Sequence, residues 1–129
     1  MSDLVTFERA DIGDGNVGAV TFRRPEAGNQ VNLATMRALI AALEEAWEAD
    51  GLDVLIMRGE GETFCVGRDQ EEEPPDLTFR ENLSLILRAN ELWGDFDGAT
   101  VAAVSGDALG FGCGVATRAD ITLAAEDAQ

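Results

Sequence analysis

Two short apolar runs, each leading into a glycine-bearing turn, constrain this chain more than any other feature. The first is Val54-Leu55-Ile56-Met57, followed by Phe64-Cys65-Val66-Gly67-Arg68-Asp69. The second is Thr100-Val101-Ala102-Ala103-Val104-Ser105, followed by Gly106-Asp107-Ala108-Leu109-Gly110-Phe111-Gly112. Runs this short, apolar without alternation, suit strands buried on both faces of a sheet. A sheet that buries such strands is packed by helices. The chain supplies them. Leu33, Met36, Leu39, Ile40, Leu43 and Trp47 recur at helical spacing behind a plausible N-cap, Asn32. Glu44, Glu45, Glu48 and Asp50 then face water, and Gly51 stops the helix. A second helix is expected over Phe79 to Phe96, with Leu83, Ile86, Leu87, Asn90, Trp93 and Phe96 on one side and Gly98 ending it.

The remaining segments complete an alternation. Leu4–Arg9 and Val17–Phe22 read as a hairpin around the Gly13-Asp14-Gly15-Asn16 turn. Arg23-Arg24-Pro25-Glu26-Ala27-Gly28 breaks the second strand into a loop. Asp69 to Asp76, rich in acids and proline, reads as a solvated loop. A short helix to Arg118 and a last strand, Ile121–Ala124, follow the second glycine turn. The fold class is α/β. No repeat of fixed period is visible.

Composition removes several functions. Nine basic against twenty-five acidic residues give a net charge of −16. Such a surface repels nucleic acid and anionic membranes. With no histidine, Ser-His-Asp and Cys-His catalysis and histidine metal sites cannot be built within this chain. Cys65 and Cys113 have no metal-ligand spacing and read as reduced, buried thiols of a cytoplasmic protein. No metal is expected. The N-terminus lacks a signal-peptide pattern, and no apolar run is long enough to span a membrane.

Each turn follows a buried strand, and glycine lets the backbone bend sharply or approach another group closely. A turn that opens a helix leaves amide N–H groups unpaired near the positive end of the helix dipole. Two such amides converging on one point can hold a carbonyl oxygen as it gains negative charge. Phosphate-binding alternatives do not fit. There is no GxxxxGK[ST], and Gly110-Phe111-Gly112-Cys113-Gly114 is not GxGxxG. Strand-to-helix turns with glycine also occur for purely structural reasons, and the pattern alone leaves both readings open.

The combination is more specific. The hairpin leading to Arg24-Pro25-Glu26 and Asn29-Gln30-Val31-Asn32, the Val54–Asp69 segment, and Val101–Gly112 with Ala119-Asp120-Ile121 and Ala124-Ala125-Glu126-Asp127-Ala128 come in the order and spacing of one family. Over essentially its whole length the chain resembles the N-terminal half of the crotonase (enoyl-CoA hydratase/isomerase) family. The resemblance implies a repeated ββα spiral core, incomplete here, with residues 1–129 forming the first half of a single domain. It implies an acyl-CoA substrate, coenzyme A entering as part of the substrate, and no permanently bound cofactor. It places the two oxyanion amides at Arg68 and Phe111. It places Arg24, Glu26, Ala27, Cys65, Val66, Gly67, Asp69, Gly110, Gly112 and Gly114 around the substrate.

Two departures matter. Phe111 stands where the family usually has glycine, so a ring would sit beside the thioester and shape the acyl pocket. Gly114 stands where hydratases of the family carry the first of two water-activating glutamates; the resemblance puts the second beyond this chain. That favours double-bond isomerisation, a single-base proton shuttle, over hydration. A hydrolase acting on an acyl-CoA and a non-catalytic acyl-CoA-binding subunit are the alternatives. Asp69 and Asp107 are read as structural or solvent-facing. The Arg68 side chain can pair with an acid or reach a CoA phosphate, and the sequence leaves both open. An anionic ligand on so acidic a chain needs backbone amides, or cations from elsewhere, for its phosphates. The family also implies the remaining C-terminal half as partner and a homo-oligomer, trimer or hexamer.

Overall fold

The computed structural model describes residues 4–10, 16–49, 51–67 and 79–126. The chain begins with an antiparallel hairpin, β1 (Val5–Ala10) and β2 (Val17–Phe22), in the register Val5–Phe22 to Ala10–Val17. Three parallel strands follow: β3 (Val54–Gly59), β4 (Ala99–Val104) and β5 (Ile121–Ala124). They lie in the sheet in chain order, β1-β2-β3-β4-β5. The crossovers carry α1 (Leu33–Glu48), α2 (Phe79–Gly94) and α3 (Phe111–Arg118). Parallel pairing requires such long connections. Of the expected opening turn only Asn16 is described, and the expected acidic loop lies outside the described residues.

Local chemistry explains the helix ends. The Asn32 side chain accepts from the Thr35 amide at 2.8 Å, capping α1. Beyond its other end Gly51 takes φ +73°, a left-handed conformation that costs glycine little. Helix α2 stops at Gly94, ahead of the expected Phe96 and Gly98.

One face of the sheet is deeply covered. Val20, Phe22, Leu55, Met57 and Ala102 are all at or near zero exposure, alongside Met36, Leu39 and Leu43 of α1 and Trp93 of α2. Burying a side chain of that size contributes about 1.5–3 kcal/mol. The helices bury different stripes from those expected. Helix α1 turns Ala38, Ala42 and Ala46 inward with Met36, Leu39 and Leu43, leaving Trp47 42% exposed. Helix α2 buries Ala89, Leu92 and Trp93, whereas Leu83 and Leu87 are exposed. Small alanines allow the close approach that helix packing needs, and bulk is displaced to the rim. Trp47 closes the seam between the helices. Its Nε1–H donates to the Leu92 carbonyl at 2.7 Å, and its ring meets Phe96 edge-on at 6.0 Å.

The opposite face corrects another expectation. Strand β3 was expected to be buried on both sides, but only Leu55 and Met57 are fully covered; Val54 and Ile56 are half-buried. All four residues of β5 are exposed. A mutual clasp still fixes the crossover to β5: the Thr100 amide donates to the Asp120 carboxylate, and the Asp120 amide to the Thr100 hydroxyl, each at 2.9 Å.

Candidate functional site

A smaller set of contacts is made by the segment that follows each of β2, β3 and β4. After β2 comes Val31, after β3 comes Cys65, after β4 comes Ala108. Cys65 and Ala108 form a parallel bridge. The Cys65 amide donates to the Asp107 carbonyl at 3.1 Å, and the Leu109 amide returns the bond to the Cys65 carbonyl at 3.0 Å. On its other side the same segment is held by the first loop. The Val66 amide donates to Gly28 at 3.2 Å, and the Val31 amide to Gly67 at 2.8 Å. Three distant stretches of sequence are therefore laced edge to edge, with Cys65–Gly67 in the middle.

Close approach is what the glycines allow here. Gly67 has φ +94°. A Cβ added to it would lie 2.9 Å from the Leu109 carbonyl oxygen and 3.4 Å from the Phe111 amide nitrogen. A Cβ at Gly112 would collide with the backbone carbonyl of Cys65. The two turns thus touch through bare backbone, and a side chain at either glycine would force them apart.

Gly110, with φ +53°, is the N-cap of α3 and offers no side-chain cap. Phe111 is then the first helical residue, and its amide has no acceptor among the described residues. The amides behind it turn inward, Gly112 to Leu109 at 2.9 Å and Gly114 to Gly110 at 3.0 Å. An unpaired N–H at the positive end of a helix dipole is a donor available to an oxyanion. The chain continues from Gly67 into Arg68 and Asp69, the other expected site residues on this turn. Both lie outside the described residues.

The other site residues divide by location. Arg24, Glu26 and Ala27 belong to the first loop, where Pro25–Ala27 forms a single 3-10 turn. The Arg24 guanidinium donates to the Gln30 carbonyl at 2.9 Å, so it braces this loop. Glu26 is exposed and Ala27 half-buried. Cys65, Val66 and Gly67 form the middle segment, and Gly110, Phe111, Gly112 and Gly114 the far one. The Phe111 ring is half-buried and packs against the core. Cys65 is fully buried, and burial pushes its thiol from an ordinary 9.0 up to about 11, against a partly opposing hydrogen bond from the Gly67 backbone. A thiol held neutral in this way is a filler of the joint and no nucleophile at neutral pH. Among the described residues no group of three or more His, Cys, Asp or Glu side chains is arranged to hold a metal.

Asn29 is the positioning residue that sequence reasoning passed over as a mere loop member. It is 1% exposed with φ +56°. Its side-chain oxygen accepts from the Arg24 amide at 2.8 Å, while its Nδ2 donates to the carbonyls of Glu60 at 3.0 Å and Thr63 at 2.7 Å. One side chain thus ties the first loop to the start of the first glycine turn. Phe64 completes the joint by meeting Phe22 edge-on at 5.9 Å. The available signal was an asparagine directly after glycine in a loop, a residue type that tolerates left-handed backbone.

Residues 13–129 match the family model described as Enoyl-CoA hydratase/isomerase. The chain belongs to the enoyl-CoA hydratase/isomerase family. It is 34% identical over 119 residues to a probable enoyl-CoA hydratase of Mycobacterium bovis, covering 90% of this chain and 45% of that protein. It is 31% identical over 115 residues to a 2,3-dehydroadipyl-CoA hydratase of Escherichia coli, covering 85% of this chain and 43% of that one. The crystal structure of an enoyl-CoA hydratase from Bacillus anthracis superposes with a TM-score of 0.86 at 27% identity, over 98% of this chain and 49% of that one. The fold is therefore crotonase-like. The chain spans about half the length of the relatives it matches. No helix among the described residues is long and apolar enough to cross a membrane.

Proposed function

We propose that this chain forms the carbonyl-gripping half of an acyl-CoA site. The observation that carries the proposal is the contact between the turns: Gly67 lies against the unpaired Phe111 amide, and the chain leads on from it into Arg68. A thioester oxygen held by the Phe111 and Arg68 amides would be stabilised as it becomes an enolate, because fixed donors need no reorganisation when charge develops. Backbone donors also suit this chain's acidity, since they grip an anion without a cationic side chain. Arg24, Glu26, Ala27 and the Cys65–Asp69 segment would flank the coenzyme A side, and Gly110, Gly112 and Gly114 the acyl side.

Gly114 brings no carboxylate to the site. The reaction best suited to these residues moves a proton from one carbon to another through the enolate, that is, double-bond isomerisation. Hydration is the second reading, favoured by the names of the relatives, and requires acids from outside this segment. The complete protein would bring the remaining half of the domain and assemble as a homo-oligomer, a trimer or hexamer.

The test uses full-length protein, an unsaturated acyl-CoA and deuterated water, with products followed by mass spectrometry. Deuterium gain without added water mass is expected; a gain of one water would replace isomerisation by hydration. Phe111→Pro tests the amide itself. Proline is tolerated at the first position of a helix and removes the N–H together with the ring, while Phe111→Ala keeps the N–H and removes the ring alone. The proline variant should lose roughly 100- to 1,000-fold in turnover, and the alanine variant far less. Equal losses would overturn the role given to the amide.

A further inference from the structure

The N-cap and first turn of α3 contain three glycines, and only two have a structural reason to be there. Gly110 needs its positive φ, and Gly112 lies against the Cys65 carbonyl. Gly114 has neither constraint. It lies inside the helix, its amide donates to the Gly110 carbonyl at 3.0 Å, and an added Cβ would meet no described atom within 4 Å. Glycine inside a helix costs about 1 kcal/mol relative to alanine. The fold gains nothing evident from that cost.

The direction of the open space supplies a reason. Cα–Cβ bonds in a helix tilt toward its N-terminus. Residues three apart lie one above the other on the same face. A side chain at position 114 would therefore lean back toward the turn that carries the Phe111 amide. An acyl carbonyl oxygen hydrogen-bonded to that amide puts the second and third acyl carbons beside the same turn. The neighbouring exposed positions on this face, Cys113 and Thr117, are small, and the Thr117 hydroxyl is turned back onto the carbonyls of Cys113 and Gly114, at 3.0 and 3.2 Å.

We infer that Gly114 is a specificity-determining residue, left bare so that the site accepts thioesters carrying a branch or ring at the second or third acyl carbon. The inference rests on the proposed acyl-CoA function and names the substrate class for that site.

The experiment compares crotonyl-CoA with 3-methylcrotonyl-CoA and cyclohexylideneacetyl-CoA, each of which carries a proton that isomerisation can move, in the full-length protein, measuring kcat/KM and binding by calorimetry, for wild type, Gly114→Ala and Gly114→Val. Melting temperatures are recorded alongside. The expected result is a fall of roughly 10- to 200-fold in the ratio of bulky to unbranched substrate as the side chain grows, the range that one added methylene produces in a packed site. Gly114→Ala should melt no lower than wild type. A ratio that stays constant across the variants would overturn the inference while leaving the acyl-CoA reading intact. A marked drop in melting temperature for Gly114→Ala would also overturn it, by showing that the fold itself needs the glycine. Wild type that binds none of the three thioesters would overturn both.

Discussion

The two faces of the sheet are built from similar residues and have opposite fates. On one, Val20, Met57 and Ala102 lie side by side in register and are wholly buried. On the other, Ala19, Ile56, Val101 and Ile121 also lie side by side, but exposure grows along the row from zero at Ala19 to 51% at Ile121. Leu123 is 60% exposed. Apolar composition therefore does not decide what is buried in this molecule; the placement of the helices does. Both glycine turns leave the sheet at the carboxyl ends of β3 and β4, the end of parallel strands where ligands of α/β proteins usually bind.

The covered face is the one to break first. Trp93 is fully buried, and its Nε1–H donates to the Val115 carbonyl at 2.9 Å, joining α2 to α3. Trp93→Ala should remove about 3–5 kcal/mol of stability, measured by urea denaturation. A loss below about 1 kcal/mol would mean that this face is not the core.

A chemical version of the comparison comes from the cysteines, Cys65 buried as expected and Cys113 exposed against expectation, on the outer side of the first turn of α3. The chain has no histidine or tyrosine, and all nine of its basic residues are arginine. Alkaline titration of its side chains therefore reports the thiols almost alone. Cys65 is held at about 11 by burial, above its ordinary 9.0. Between those values the unfolded chain has released the proton that the folded chain keeps. Stability is thus intact below about pH 9 and falls as pH rises toward 11, by about 2–3 kcal/mol in total. Urea midpoints measured across this window should decline, and Cys65→Ala should flatten the decline. Cys113 should react with iodoacetamide well before Cys65 does.

The smallest effect belongs to the open face. In the 129-residue chain Leu123→Glu should change stability by no more than about 0.5 kcal/mol. A loss of several kcal/mol would reveal a cover over β5 and erase the contrast between the faces.

Much of this was legible in the residues. Strands β2 and β5 fall where the sequence places them, and Asn32 and Gly51 frame α1 as expected. The glycine turns were recognisable because each follows an apolar run short enough to be nothing but a strand. What misled was size. Trp47, Leu83 and Leu87 invite burial, but the contact surfaces are made by Ala38, Ala42, Ala46 and Ala89, since close packing selects small residues. The repeat around Val31, Cys65 and Ala108 was hidden because the crossovers differ in length, so no fixed period marks it. The approach of Gly67 to Phe111 and the three bonds of Asn29 depend on pairs far apart in sequence, which local patterns do not encode. The expected roles of Arg68 and Asp69 came from resemblance alone.

The order of strands in the sheet also bears on how the molecule is made. Every strand pairs with the one synthesised just before it. A ribosome emits roughly 5–20 residues per second, slow compared with the microseconds in which a hairpin closes. The sheet can therefore grow outward in the direction of synthesis, with no early strand waiting for a distant partner. At every stage the newest strand is an unpaired edge, with β1 as the other, and edges of that kind are where chains stick to one another. The pace of translation, as much as the sequence, sets how long each edge stands open.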